Sequence, residues 1–60
     1  MKNGDRFYDW RNDQYVEIVE MQPAGHPHRA LCYCWKEGEA RFGTNEYLGI
    51  ESDLAEMDKM

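Results

Sequence analysis

Residues 15–21 read Tyr-Val-Glu-Ile-Val-Glu-Met and form the clearest strand signal in this chain of 60 residues. Val16, Ile18 and Val19 are β-branched, and Glu17 interrupts them at the two-residue period of a strand. Apolar side chains nevertheless fall on both faces of this segment. A bend in a long strand explains that distribution, because each half can then turn a different face to one core. The segment therefore predicts a mainly β fold whose short sheet curls on itself.

Two further strands are predicted around this segment. Arg6 to Trp10 is rich in aromatic residues, and Arg29 to Lys36 is a second run of apolar and aromatic residues. The polar residues 11–14 supply the first turn. Gln22 to His28 contains both prolines and a glycine, so it is predicted to be the longest irregular loop and the most mobile region.

The second half of the chain predicts shorter elements. A tight hairpin is expected at Lys36 to Glu39, because Gly38 can adopt the positive φ that such turns often require. Glu39 to Phe42 is then the returning strand. Thr44 to Leu48 is typical of a single helical turn, and Gly49 to Glu51 of a last short strand. Leu54, Met57 and Met60 recur at three-residue spacing after Ser52, which predicts a short C-terminal helix.

The length permits one small domain, residues 1–60, with one core. Aliphatic residues are few, so four Tyr, two Trp and two Phe must supply much of the buried area. In the third strand, Leu31, Tyr33 and Trp35 are expected to face the core, since burying them removes more apolar area than burying the alternate set with Cys32 and Cys34. The predicted core is Phe7, Val16, Ile18, Leu31, Tyr33, Phe42, Leu48 and Ile50.

The predicted plan of five short strands resembles the small SH3-like barrels. The resemblance lies in the opening Lys2-x-Gly4-Asp5-x-Phe7 and in the Gly38 hairpin followed by a turn that ends in Tyr47 and Leu48. It implies a scaffold that binds peptides, proteins or nucleic acids and seldom catalyses reactions. The chain departs from the chromatin and ribosomal members in being acidic, and from the peptide-binding members in lacking their acidic aromatic loop motif.

Charge and hydropathy narrow the choice of partners. Seven Lys and Arg stand against twelve Asp and Glu, a formal net charge of -5. The basic residues are scattered rather than clustered, which argues against direct binding to DNA or RNA. No apolar run could span a bilayer and no leader sequence is recognisable, so a cytoplasmic protein without membrane contact is expected.

Two histidines and two cysteines are the only cluster of metal-compatible side chains. The pattern His26-x-His28 followed by Cys32-x-Cys34 matches no common zinc finger, and cysteines two apart on a strand are too distant for one zinc ion. No metal or other cofactor is therefore predicted, although a metal-responsive protein that uses these four residues remains the alternative. A disulfide between the cysteines would be strained, so both are expected to be free.

No catalytic site is predicted, because the chain shows no nucleophile elbow, phosphate-binding loop or rigid acid pair, and a small barrel leaves little concave volume. Surface aromatics are the better candidates. If Phe7 faces the core, then Tyr8 and Trp10, together with Tyr47, are predicted to form a partner-binding group, since Tyr and Trp are enriched at interface hot spots. A C-terminal segment that folds back over them is the alternative. Trp10 is expected to be more exposed than Trp35.

These observations favour a non-enzymatic interaction module. The expected protein is a small acidic regulator or inhibitor that docks an aromatic patch, rimmed by carboxylates, on a larger protein partner. An acidic mimic that occupies a nucleic-acid-binding surface, a device of small phage-encoded inhibitors, is one variant. A homodimer built by pairing an exposed strand edge is another.

Overall fold

A computed structural model describes residues 1–39 and 45–60 as one antiparallel sheet with a short helix packed on one side. The strands follow the predicted period-two segments closely, since the first three begin or end within a residue of the expected bounds. The elements are β1 (Arg6–Asp9), β2 (Gln14–Met21), β3 (Arg29–Trp35), β4 (Asn45–Ile50), α1 (Glu51–Glu56) and β5 (Asp58–Lys59).

The sheet has the order β4-β3-β2-β1-β5, and every neighbouring pair is antiparallel. A register shift between Ile18 and Glu20 interrupts the pairing of β2 with β3. An extra residue at such a point increases the local twist, which is the kind of irregularity that the predicted bend in β2 requires. The turn at Gly38, with φ of 85°, and the hydrogen bond from Glu39 N to Lys36 O confirm the predicted tight turn.

One face of the sheet, which we call the inner face, carries the core. Phe7 lies opposite Val16, and Val16 lies opposite Cys34, so these three side chains share that face. Leu54 of α1 is fully buried against it. The buried apolar residues are Phe7, Val16, Ile18, Ala30, Cys32, Cys34 and Leu54.

The orientation predicted for β3 is wrong. Ala30, Cys32 and Cys34 are buried, whereas Leu31, Tyr33 and Trp35 are half-buried on the opposite, outer face. The register decides this, because Cys32 lies opposite the buried Ile18 and Cys34 opposite the buried Val16. In the described part of the chain, Cys32 and Leu54 of α1 pack together beside Gly49, where a small side chain fits.

The prediction that Leu48 and Ile50 belong to the core is also wrong. Leu48 is half-buried and Ile50 is 40% exposed, because both alternate with the buried Gly49 and belong to the outer face. Phe42, also expected in the core, lies outside the described residues.

The one-turn helix predicted from Thr44 to Leu48 is wrong where the structure describes it, since residues 45–48 belong to β4. The predicted return strand falls mostly on residues 40–42, which lie outside the described part, and Glu39 itself is in a bend. The predicted C-terminal helix is confirmed only as far as Glu56, since Met57 is its C-cap and residues 58–59 form β5. It begins at Glu51, with Ile50 as its N-cap rather than Ser52, and no described helix is long and apolar enough to cross a membrane.

Candidate functional site

Strand β4 lies at one end of the sheet, and half of its main-chain groups point away from β3. Glu51 N donates to His28 O at 3.0 Å, in line with the β3–β4 register. Because bonded pairs alternate along an antiparallel ladder, the peptide groups of Tyr47 and Gly49 address β3. Those of Glu46, Leu48 and Ile50 therefore point outward from the sheet edge, where a further strand could bind them.

A groove of about 780 Å³ runs beside this edge. All six residues of β4 line it. The facing wall is built from α1, through residues such as Leu54, and from the turn between β1 and β2, through Trp10 to Asn12. Its volume lies in the range of protein sites that bind ligands. The groove thus places the β4 edge, which pairs with no other described strand on this side, next to α1 and the β1–β2 turn.

One ion pair and one hydrogen bond connect the β1–β2 turn to its neighbours. The Arg11 guanidinium donates to Glu56 at 2.7 Å and so joins the β1–β2 turn to α1. Lys36 Nζ donates to Asn12 O at 2.9 Å from the other side of the groove. Both contacts are exposed, so each contributes little stability by itself. Together they connect the β1–β2 turn to α1 and to the end of β3.

Asp9 organises the β1–β2 turn from a buried position. Its carboxylate is 3% exposed and accepts hydrogen bonds from Arg11 N at 3.1 Å, Asn12 Nδ2 at 2.8 Å and Gln14 Nε2 at 3.2 Å. Burial alone would raise the pKa of Asp9, but hydrogen bonds from Asn12, Gln14 and Arg11 outweigh it and lower the pKa below 3.8. These hydrogen bonds therefore favour the ionised form of Asp9, which holds the turn.

The structure separates the three aromatic residues predicted for partner binding. Trp10 and Tyr47 both line the groove, Trp10 at 55% exposure and Tyr47 half-buried against the core. Tyr8 lies on the outer face of the sheet, where its hydroxyl donates to Asp13. The C-terminal segment covers part of the inner face through Leu54 and Met57, so it borders the groove as well.

The outer face has an aromatic row that the sequence analysis did not identify. Tyr8, Tyr15 and Trp35 lie side by side, with ring centroids 5.7 Å and 5.8 Å apart. The guanidinium of Arg6 stands 6.0 Å from the Trp35 ring. The missed signal was hairpin register, because a turn centred near Asn12 places Tyr8 opposite Tyr15.

The histidines and cysteines occupy different environments. His26 and His28 lie in the exposed loop before β3, whereas both cysteines are free and buried. Across residues 1–39 and 45–60, no three His, Cys, Asp or Glu side chains are grouped so that they could hold a metal ion. Burial raises the pKa of Cys32 to about 11, only partly offset by a hydrogen bond from the Gly49 main chain, and burial also raises the pKa of Cys34. Neither thiol is activated as a nucleophile.

The thiols should react slowly in the folded protein. A disulfide-exchange reagent at neutral pH is expected to modify Cys32 and Cys34 only as fast as the sheet opens, because the thiolate is the reactive species and both groups are buried. In urea, two equivalents should react rapidly. Fast native reaction of Cys32 would contradict its placement beneath Leu54.

Comparisons with protein-family models, with curated proteins and with solved structures found no match.

Proposed function

We propose that this protein is a non-enzymatic interaction module that binds an extended segment of a larger protein as an additional strand along β4. The observation that carries the proposal is the direction of the β4 main chain, whose peptide groups at Glu46, Leu48 and Ile50 point outward beside the groove. Strand addition of this kind obtains affinity from main-chain hydrogen bonds and specificity from alternate side chains.

The shape of the groove favours a single extended segment over a second copy of the chain. β4 forms one side, while α1 and residues 10–12 form the other. A second copy would have to bring a whole sheet into a groove that α1 and residues 10–12 also line. A homodimer paired through β4 is the competing arrangement, and sedimentation of the protein would detect it.

We further propose that the curled sheet is a small SH3-like barrel and that the protein is a cytoplasmic regulator or inhibitor. The register shift in β2, the pairing of β5 with β1 and the Arg11–Glu56 contact between the β1–β2 turn and α1 support a barrel-like curvature. Two free cysteines fit a reducing compartment. The formal net charge of -5 would attract a basic partner over long range.

Leu48→Pro should abolish strand addition while leaving the sheet folded. Proline has no N–H, and the N–H of Leu48 is one of those that point away from β3, so the existing ladder keeps its bonds. Peptides enriched on the wild-type protein from a displayed random library are the probe. Their affinity for Leu48→Pro should fall about tenfold or more, as measured by fluorescence anisotropy.

Two variants make this test specific. Leu48→Ala removes the side chain but keeps the N–H, so it should bind the same peptides within a few fold. Tyr47→Pro removes an N–H that addresses β3 and should disrupt the β3–β4 ladder, seen as a loss of stability by circular dichroism. Strand addition is wrong if no peptide is enriched, if Leu48→Pro binds like the wild type, or if sedimentation shows that β4 pairs with a second copy.

Trp10→Ala should weaken peptide binding more than it weakens the fold. Trp10 is 55% exposed on the groove wall, and its ring is stacked by the Arg11 guanidinium at 5.1 Å, so its loss should cost at most about 1 kcal/mol of stability. Binding of an enriched peptide should weaken by about 2 kcal/mol, as for an interface hot spot.

Trp35→Ala is the matched control for Trp10→Ala. Trp35 is half-buried on the outer face, away from the groove. Its replacement by alanine should therefore lower the melting temperature but leave the dissociation constant of the folded protein for the peptide unchanged. Its expected cost of about 1 to 3 kcal/mol is smaller than a core position would give. Equal binding by Trp10→Ala and wild type would remove Trp10 from the interface.

A further inference from the structure

We propose that the segment bound along β4 is basic, with a Lys or Arg placed directly opposite Glu46 and an apolar residue at the neighbouring position. This inference rests on the strand addition proposed above and names the class of segment that it selects. It follows from the side chains that each face of β4 would present to a new neighbour.

Glu46 marks the end of a row of paired side chains on the outer face. The register places Arg6 opposite Glu17, Glu17 opposite Tyr33, and Tyr33 opposite Glu46. Arg6 Nε donates to Glu17 at 2.6 Å, so that cation is already engaged with an acid of this row. Within residues 1–39 and 45–60, the exposed carboxylate of Glu46 makes no ion pair. An added strand would continue the row with one residue beside Glu46.

Charge decides which residue that position favours. Oppositely charged side chains directly across an antiparallel ladder stabilise it by about 0.2 to 1 kcal/mol, and like charges destabilise it. A bound Asp or Glu would meet Glu46 at close range in a protein that is already acidic. A Lys or Arg would instead complete the row.

The neighbouring position of the bound segment points the other way, into the groove. There it would lie beside Tyr47 and face α1, where Leu54 is fully buried and Met57 is half-buried. An apolar side chain at that position extends the core through Tyr47 and Met57. The selected segment thus carries a basic residue opposite Glu46 on the outer face and, next to it, an apolar residue that points into the groove.

The experiment compares peptides selected from a displayed random library by the wild-type protein and by Glu46→Lys. The wild type should enrich segments in which a Lys or Arg stands next to an apolar residue, and Glu46→Lys should not. An enriched peptide should bind Glu46→Lys about fivefold more weakly than wild type, and replacing its Lys by Glu should reverse that preference. The difference should shrink at high salt, because the pair is exposed.

Glu20→Lys is the matched control. Glu20 is exposed on the same face and its replacement changes the net charge equally, but it lies three strand spacings from the added segment, about 14 Å, which exceeds the Debye length at ordinary salt. Equal weakening by both variants would show a net-charge effect and overturn the contact with Glu46. Enrichment of neutral or acidic segments whose binding Leu48→Pro still abolishes would overturn this inference alone. Failure to enrich any peptide would overturn the strand addition as well.

Discussion

Leu54→Ala is expected to lower the free energy of unfolding by about 3 to 5 kcal/mol. Leu54 is fully buried and is the one buried residue of α1. Truncation of a buried leucine removes its transfer free energy and leaves a cavity, and here the remaining helix has no second apolar anchor to close it. A domain of this length has a total stability of roughly 3 to 9 kcal/mol, so much of the population should unfold.

The packing around Leu54 explains why the effect should be large. Its Cδ1 lies 3.6 Å from the place where a Cβ on Gly49 would stand, and Cys32 Sγ lies 3.3 Å from that same place. The leucine therefore fills the space left by a glycine in β4. Loss of this contact should release α1 from β4 and remove one wall of the groove.

Urea unfolding followed by tryptophan fluorescence measures the effect of Leu54→Ala. Leu54→Met keeps most of the volume and should cost less than about 1.5 kcal/mol. Ser52→Ala serves as the control in the same helix, because Ser52 is exposed and no side-chain hydrogen bond caps α1. If Leu54→Ala melts like Ser52→Ala, the helix does not pack on the sheet in the way described.

The sequence predicted the strands well where local pattern and tertiary structure agree. β2 combines β-branched residues with alternation, and its pairing with β1 and β3 then requires only short connections. Residues 45–48 were different. Their local pattern fits a helical turn, but six residues of β4 pair with β3, and those pairing interactions outweigh a weak helical preference. β5 has two residues and depends wholly on its contact with β1.

The orientation predicted for β3 is wrong for the same reason, because pairing with the neighbouring strands outweighs the local pattern. Buried area favours Leu31, Tyr33 and Trp35 when the strand is considered alone. In the sheet, Phe7, Val16 and Ile18 already define the inner face, and the register then places the smaller set opposite them. The face of a strand is thus a property of its neighbours as much as of its own residues.

The candidate site was only partly predictable for a related reason. Trp10 and Tyr47 could be selected from the sequence because aromatic residues are common at interfaces. The groove that joins them depends on β4 being an edge strand and on α1 following it directly, two facts that lie in the topology. Every residue except proline has the same main-chain N–H, so the sequence does not reveal which N–H groups of β4 point away from β3.

Asp9→Ala is expected to lower the free energy of unfolding by about 2 to 4 kcal/mol. The buried carboxylate accepts three hydrogen bonds that hold the β1–β2 turn, and alanine would leave the Asn12 and Gln14 amides without this acceptor. Hydrogen bonds to a charged group contribute more than neutral ones, and three of them are lost together. The same turn carries Trp10, so peptide binding should weaken with the fold.

The acid sensitivity of the protein provides a direct test of the Asp9 carboxylate. The pKa of Asp9 in the folded state lies below its ordinary value of 3.8, so the ionised form stabilises the fold above that value, and this contribution is lost as the pH falls through the folded pKa. Asp9→Asn should therefore be less stable at neutral pH and show a shallower loss of stability in acid. Asp5, whose pKa is also lowered by the Lys2 amide and Lys59 despite burial, should retain part of the slope. Urea unfolding from neutral to acidic pH gives both slopes, and parallel curves for Asp9→Asn and wild type would show that the carboxylate does not hold the turn.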